Sequence, residues 1–316
     1  MKILVTGGCG YKGHILIPKL LQGGHEVIAF DTQWFGNYFN PHPNLEVVKG
    51  DVRHIKDIPL EGVDCIIHLA SIANDPCGDL DPKLTWEVSA LATMQLADRA
   101  KRLGIERFIY ASSGSVYGVK EEEQVIETLE LEPISEYNKT KMVAERVVLS
   151  YQDDMVVQIV RPGTVCGYSP RMRFDVAVNM LVMQALAKGK ITVFGGDQIR
   201  PNIHIDDITD VYLHLIDHPE YTGIFNAGFE NISILDIAKL VTKYVPVEIT
   251  VTKSNDPRCY RVNSDKLLAT GFKPKKKVED AIQEIISRFQ EGDCKDEDRY
   301  YNLKWMQQTV LAGAGV

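Results

Sequence analysis

The chain has 316 residues, 45% hydrophobic and 25% charged, with a net charge of −8, enough for about two domains of roughly 150 residues each around a buried core. The acidic balance and the lack of a long basic stripe argue against a nucleic-acid partner, and no apolar run nears the ~20 residues needed to span a bilayer. Six cysteines (9, 65, 77, 166, 259 and 294) without Cys-x-x-Cys spacing point to reduced thiols in a cytoplasmic protein and to no metal site.

The N-terminus enters a strand at once, Ile3 to Val5, which leaves no room for a signal peptide. Three glycines follow, Gly7, Gly10 and Gly13, then a helical pattern from Ile15 to Leu21 and a second strand, Glu26 to Phe30, ending in Asp31. A strand, a glycine turn, a helix and an acid about 20 residues on form the pattern of a dinucleotide site. The glycines admit the pyrophosphate, the helix N-terminus offers it N–H groups, and the acid binds a ribose diol. A carboxylate at Asp31, with no Arg or Lys in Thr32-Gln33-Trp34, disfavours a 2′-phosphate and points to NAD over NADP; Lys12 in the glycine loop is the feature that pulls the other way.

Further strands are predicted at Leu45 to Val48, Cys65 to Leu69, Arg107 to Ala111 and Val156 to Val160, and helices at about Lys83 to Leu103 and Tyr137 to Tyr151. Such alternation predicts an α/β fold, a doubly wound parallel sheet covered on both faces. Beyond Arg161-Pro162-Gly163 come helix Val176 to Lys188, strand Ile191 to Phe194, the segment Arg200 to Asp207, and helices near Ile234 to Tyr244 and Val278 to Gln290. This half reads as a smaller C-terminal α/β substrate domain closing over the first. The expected division is a cofactor domain of residues 1–168, with a segment of about 205–228 packing back on it, and a substrate domain of mainly 169–316. Lys275 to Lys277 reads as a solvated loop. No internal repeat is evident, and 311–316 reads as a frayed tail.

Ligands of an open parallel sheet bind beyond the carboxyl ends of its strands. Asp51-Val52 follows the third strand, placed to meet the adenine. Leu69-Ala70-Ser71-Ile72-Ala73-Asn74-Asp75 follows the fourth, and Ser112-Ser113-Gly114-Ser115-Val116-Tyr117-Gly118 the fifth. The next helix opens with Tyr137 and carries Lys141 at i+4, on one face. Chance alone produces such a pair, and Tyr300 with Lys304 is a second; the location of Tyr137, after a hydroxyl-bearing loop in a nucleotide-binding sheet, sets it apart. A phenol of pKa about 10 serves as a base at neutral pH only when positive charge lowers it. Lys141 and the oxidised nicotinamide would supply that charge, and Ser113 would hydrogen-bond the sugar oxygen.

Together, Thr6 to Gly13, Asp31, Asp51, His68-Leu69-Ala70, Ser112 to Gly118, Tyr137-x-x-x-Lys141 and Arg161-Pro162-Gly163 resemble the extended short-chain dehydrogenase/reductase family, the nucleotide-sugar epimerases and dehydratases, over nearly the whole chain. The resemblance implies a Rossmann-type domain binding NAD through Gly7, Gly10, Tyr11, Lys12, Gly13, Asp31, Asp51, Val52, Leu69, Ala70, Ser71, Tyr137, Lys141 and Pro162. It implies Ser113, Tyr137 and Lys141 as catalytic residues. For the nucleotide-diphosphate sugar it implies Asn74, Ser113, Ser115, Tyr137 and Thr164, with Asn179, Arg200 and Arg258 on the diphosphate. A homodimer through the two long helices is implied as well. Arg171 and Arg173 are further substrate candidates, while His204, between Ile203 and Ile205, reads as structural.

Departures narrow the chemistry. The family's 4,6-dehydratases carry an Asp-Glu pair where this chain has Gly114 and Ser115, and its fucose-synthase-like members carry a Cys in the same loop. Ser89 and Thr164 stand where relatives have Asn. The function these features imply is NAD-dependent epimerisation at C4 of a nucleotide sugar through a transient 4-ketosugar. The alternatives are a nucleotide-sugar 4-dehydrogenase or ketoreductase with net redox change and, from another class, a non-catalytic NAD-binding sensor or scaffold.

Overall fold

The computed structural model describes residues 1–254, 256 and 258–309. In chain order it begins with β1 (Lys2–Thr6), α1 (Gly13–Gln22), β2 (Glu26–Asp31), β3 (Leu45–Lys49), β4 (Cys65–His68), α2 (Asp75–Leu80), α3 (Pro82–Trp86), α4 (Ala92–Arg102), β5 (Arg107–Ala111), α5 (Glu136–Leu149) and β6 (Val156–Pro162). Then follow β7 (Thr164–Cys166), α6 (Ala177–Lys188), β8 (Lys190–Phe194), β9 (Ile199–His204), α7 (Ile205–Asp217), β10 (Gly223–Ala227), β11 (Glu230–Ser233), α8 (Ile234–Thr242), β12 (Glu248–Thr252), α9 (Asp265–Leu268), α10 (Val278–Glu291) and α11 (Asn302–Thr309).

Seven strands form one sheet in the order β10-β6-β5-β4-β1-β2-β3, and each neighbouring pair from β6 to β3 is parallel. Ile3, Leu4, Val5, Ile66, Ile67, Phe108 and Ile109 are completely enclosed. Central strands of a parallel sheet are covered on both faces, which is why they run apolar without alternation. β3, at the edge, has no buried residue. The order reverses between β1 and β4, and such a switch leaves a crevice at the carboxyl ends of the two strands. This is the Rossmann-type α/β fold that the sequence predicts.

The chain divides into two compact units: residues 1–116, 133–161 and 209–225, and residues 117–132, 162–208 and 226 onward. The first holds most of the large sheet. In the second, β9 pairs antiparallel with β11 and parallel with β7, while β8 and β12 pair parallel. Tyr117, Val125, Tyr260 and Val262 make a small core there with Leu129 and Leu131. The backbone of Val125 bonds to Arg261 O at 2.7 Å and to Asn263 N at 2.9 Å, which ties down the segment that carries Arg258.

The single helix predicted for 83–103 is instead three pieces, α3 and α4 joined by a wider π-helical turn at Glu87–Leu91. Ser89 sits inside that turn, its hydroxyl accepting from Ile72 N at 3.2 Å and its carbonyl from Thr93 Oγ1 at 2.9 Å. Side-chain intrusion of this kind disturbs the i→i−4 ladder and widens a helix. The expected tail, 311–316, lies outside the described residues. Among those residues no helix is long and apolar enough to cross a membrane.

Candidate active site

β1 leads into Gly7, which takes φ +69°; a Cβ there would stand 2.7 Å from the Ala70 nitrogen. At Gly13, where α1 opens, a Cβ would come within 2.0 Å of the Gly8 carbonyl oxygen. Only glycine closes this turn. The turn places the N-terminus of α1 just beyond β1, where the N–H groups of a helix attract an anion. Asp31, at the tip of β2, is fixed beside it: its carboxylate accepts from Cys9 N at 3.1 Å and Gln33 N at 2.6 Å. A helix start facing a tightly closed turn, with a carboxylate hydrogen-bonded to that turn, fits a dinucleotide, the pyrophosphate on α1 and the ribose on Asp31.

Other residues expected at this edge vary in what occupies them. Leu69 N donates to Thr6 O at 3.0 Å, and Leu69, Ala70 and Ser71 are half-buried, whereas Tyr11 and Val52 are buried. Pro162 closes β6. Lys12 is drawn to α7, its Nζ donating to Tyr212 OH at 3.3 Å and lying 5.7 Å from that ring's centre. Asp51 is gripped by Arg53 through its backbone N (2.9 Å), Nε (3.0 Å) and Nη2 (2.7 Å). Burial pushes the Asp51 carboxyl up, but these bonds outweigh it and hold it below the usual range.

Ser135 caps α5 by accepting from Asn138 N at 3.2 Å, and Tyr137 follows in the first turn, partly exposed. One turn on, Lys141 is 2% exposed. Its Nζ donates to Ala111 O at the end of β5 (2.7 Å) and lies 6.0 Å from the centre of the Tyr137 ring. Lys141 therefore ties the Tyr137 face of α5 to the strand end that leads into Ser113. Burial, helped by the Lys12 charge, pushes the Lys141 pKa down to about 7 against the pull of Glu145. Ser113 Oγ lies 2.7 Å from Ser115 Oγ, which donates to Asn138 Oδ1. Tyr300 and Lys304 form no such pair: Tyr300 closes a turn before α11 begins, and Lys304 bonds Asp298.

Three features escaped the sequence reading. Glu145, at i+4 from Lys141, forms a buried ion pair with Arg161 (2.9 and 2.6 Å) and accepts from Ser112 Oγ; its helical spacing was the available signal. Gly78 of α2 is pressed on α5, where a Cβ would stand 2.9 Å from both the Tyr137 nitrogen and Cβ. Asn74, with φ 79°, caps α2 by accepting from Cys77 N at 3.0 Å. Neither placement leaves a periodic trace in the sequence.

In the second unit Arg200 and Arg258 converge on one carboxylate. Asp256 Oδ2 lies 2.9 Å from Arg200 Nη2 and 2.8 Å from Arg258 Nη2, and Asp256 Oδ1 lies 2.9 Å from Arg258 Nε. Burial raises the Asp256 pKa, but the Arg258 hydrogen bonds and both guanidinium charges bring it down to about 2. Two planar forks around one anion suit phosphate oxygens as well as a carboxylate. Thr164, which opens β7, is half-buried.

Asn179 departs from expectation. Its side chain is 0% exposed, with Oδ1 accepting from Gly167 N (3.1 Å) and Nδ2 donating to Arg173 O (2.9 Å), so it organises that loop and is closed to a ligand. Arg171 is equally enclosed, donating to Met172 O and Asn302 Oδ1, and Arg173 pairs with Asp175 at 2.9 Å. His204 is buried, with Nδ1 accepting from Asp206 N at 3.1 Å.

The sequence is similar to UDP-glucuronic acid decarboxylase 4 of Arabidopsis thaliana, 29% identical over 320 residues, covering 94% of this chain and 71% of that protein. It is similar also to a UDP-glucose 4-epimerase of Lactobacillus helveticus, 25% identical over 313 residues, covering 89% of this chain and 95% of the relative. Among solved structures, a UDP-glucuronic acid 4-epimerase from Bacillus cereus, crystallised with UDP-glucuronic acid and NAD, aligns with a TM-score of 0.80 at 25% identity, over 92% of this chain and 99% of the other. The description of the NAD dependent epimerase/dehydratase family matches residues 3–228. That stretch runs from β1 past the end of β10, well over half of the chain and the whole of the dinucleotide turn, so the chain belongs to the NAD-dependent epimerase/dehydratase family, with NAD as its cofactor.

Proposed function

We propose that the protein is a nucleotide-sugar 4-epimerase. The observation that carries this reading is the loop beside the Tyr137–Lys141 face: it presents the hydroxyls of Ser113 and Ser115 and, at Gly114 and Ser115, no carboxylate to drive an elimination. A 4-epimerase and a decarboxylase of a hexuronic acid can share their first step, because oxidation at C4 makes the C6 carboxylate of a uronic acid that of a β-keto acid. The names of the relatives fall on both sides of that branch.

In this reading Tyr137 takes the proton of the C4 hydroxyl, with Lys141 stabilising the phenolate. Ser113 bonds the sugar oxygen, and Ser115, Asn74 and Thr164 are the further residues proposed for the sugar. Arg200 and Arg258 exchange Asp256 for the diphosphate and leave the sugar free to present either face. Bound NAD supplies the hydride acceptor at C4 and the hydride that returns to the opposite face. In this reading the first unit carries the cofactor residues other than Pro162, together with Asn74, Ser113, Ser115 and Tyr137, and the second carries Thr164, Arg200 and Arg258. A homodimer through α4 and α5 belongs to the same proposal, and Leu91 and Met94 leave an apolar strip there, 45% and 42% exposed.

The test is incubation of the NAD-bound protein with UDP-glucose, UDP-galactose, UDP-glucuronic acid and UDP-galacturonic acid, following product configuration by NMR and cofactor absorbance. Inversion at C4 without lasting reduction of NAD is expected; reduced cofactor accumulating in step with product would make the protein a dehydrogenase instead. Tyr137→Phe should bind NAD but slow single-turnover reduction by about 10²–10⁴-fold, and Tyr300→Phe should leave it unchanged.

A further inference from the structure

His14, in the first turn of α1, is 3% exposed and is bonded at both ring nitrogens. Nδ1 lies 3.0 Å from Gly10 O in the glycine turn, and Nε2 lies 3.1 Å from the backbone N of Tyr38, in the loop that leaves β2. A carbonyl only accepts and a backbone N–H only donates, which assigns a neutral ring with its proton on Nδ1. Turning the ring over would set carbon atoms against both partners. The Phe39 ring stacks on the imidazole with centres 4.3 Å apart, and the Tyr38 ring stands at 60° to it, 5.4 Å away.

The same loop is anchored at its other end. Gln33 N donates to Asp31 Oδ1 at 2.6 Å, and Asp31 Oδ2 accepts from Cys9 N at 3.1 Å. Between the two anchors, Gly36 N closes a turn on Gln33 O at 3.0 Å and Tyr38 OH donates to Phe35 O at 3.0 Å. Cys9 and Gly10 are neighbours in the chain, so the bonds close a circuit: turn to Asp31, Asp31 to loop, loop to His14, and His14 back to the turn. Releasing the His14 end lets the loop move, and with it the Gln33 N–H that holds one oxygen of Asp31.

We propose that His14 is a positioning residue for the adenosine ribose of NAD: by latching the 33–39 loop to the glycine turn, it fixes the Asp31 carboxylate where it accepts from a ribose diol and repels a 2′-phosphate. The inference rests on that role of Asp31. A carboxylate set in place before the ligand arrives costs no ordering when it binds. One that is free to turn aside loses part of its hold on the diol and part of its rejection of the phosphate, so the latch acts on both affinity and cofactor preference.

Two variants separate the two bonds of the ring, read by calorimetry of NAD, NADP and UDP on the full chain freed of cofactor. His14→Asn ends at the place of Nδ1 and leaves Tyr38 N without its acceptor. It should weaken NAD binding by about two- to tenfold, the size of one net hydrogen bond, with no loss for NADP, so that the preference for NAD narrows by the same factor; UDP affinity should stay as it is. His14→Gln carries an acceptor out to the place of Nε2, and Gly10 O keeps a donor in the backbone N of residue 14, now at 3.2 Å. This variant should restore most of the NAD affinity and preference lost in His14→Asn. Equal losses in the two, or lower melting temperatures with an unchanged ratio of NAD to NADP affinity, would show a merely structural histidine and overturn the proposal. If His14→Asn does not fold, Phe39→Ala strips the stacked ring from the latch and should narrow the preference in the same direction; an unchanged preference there overturns it equally. NMR of the imidazole nitrogens in the unchanged protein needs no variant: a proton on Nδ1 alone is expected, and a proton on Nε2 would overturn the latch. Asp31→Ala with unchanged affinity for both dinucleotides would overturn the ribose role of Asp31 instead, which separates the two failures.

Discussion

Lys141 is almost wholly enclosed, yet it is the group whose charge the proposed base, Tyr137, would depend on. Removing an ammonium from water disfavours its charged form, and here burial outweighs the neighbouring Glu145 to bring the pKa to about 7. An unfolded lysine titrates near 10.4. Between those two values the folded chain has released a proton that the unfolded chain keeps, so this group makes folding more favourable as pH rises from about 7 to 10. Below pH 7 both states are protonated and the penalty is constant. Lys141→Met removes the titration and keeps much of the volume, so its stability should lack that rise, a difference of at most several kcal/mol. Urea unfolding of the NAD-free proteins at pH 7, 8.5 and 10 checks this; parallel curves would mean that Lys141 does not titrate near neutrality. His68 shows the same force in a group with partners: bonded to Thr6 Oγ1 at 2.6 Å and Thr93 Oγ1 at 2.8 Å, it is pushed down by burial to about 3 and serves as a neutral cross-tie.

Helix α5 owes its exact seat to a short neighbour. Ser135 Oγ donates to Asp75 Oδ1 at 2.5 Å, Trp86 Nε1 donates to Glu136 Oε2 at 2.7 Å, and Gly78 lies directly on the Tyr137 backbone. Gly78→Ala must push either α2 or the first turn of α5, because the atoms it meets are main chain. Shifting the base in this way should cost roughly 10²-fold in hydride transfer, with NAD affinity unchanged; normal single-turnover reduction in this variant would show that the contact yields without moving Tyr137. None of this was legible in the sequence. Asp75–Leu80 contains Pro76 and Gly78 and too few residues to show a helical period, and Asp75 and Trp86 lie 60 and 50 positions from their partners at the start of α5. By contrast β1, β2, β4, β5 and the body of α5 were readable, because central parallel strands are uniformly apolar and long helices repeat their buried face. Helix α7 was missed although its pattern is amphipathic, because β9 runs into it at Ile205 with no glycine, proline or loop between them. The glycine turn and the Tyr137–Lys141 face were legible as chemistry; the Ser115–Asn138 contact and the Asp256 clamp, set by tertiary packing, were not.

At the scale of the molecule, the two units present their ligands with opposite chemistry. The first offers a helix N-terminus and the Asp31 carboxylate proposed for the ribose, whereas the second offers two guanidiniums that share one carboxylate, Asp256. In the proposed exchange the diphosphate takes the guanidinium nitrogens that now bond Asp256, so part of the gain from two charge-assisted forks would be offset by loss of the Asp256 bonds. Arg200→Ala and Arg258→Ala should therefore weaken UDP-sugar binding by less than the ~1.5–3 kcal/mol that a hydrogen bond to a charged group is usually worth. Asp256→Asn should act in the other direction, tightening UDP binding if the arginines keep their places. NAD binding should be nearly the same in all three, because the dinucleotide turn, Asp31 and the α1 N-terminus all belong to the first unit. Thermal melts make the separation measurable: a ligand at 100 times its Kd adds about 2.7 kcal/mol to the state that binds it. NAD should raise the melting temperature of every variant alike, and UDP should raise it less in the two arginine variants than in the unchanged protein. An equal response to UDP in all of them would remove Arg200 and Arg258 from the diphosphate site and leave them paired with Asp256.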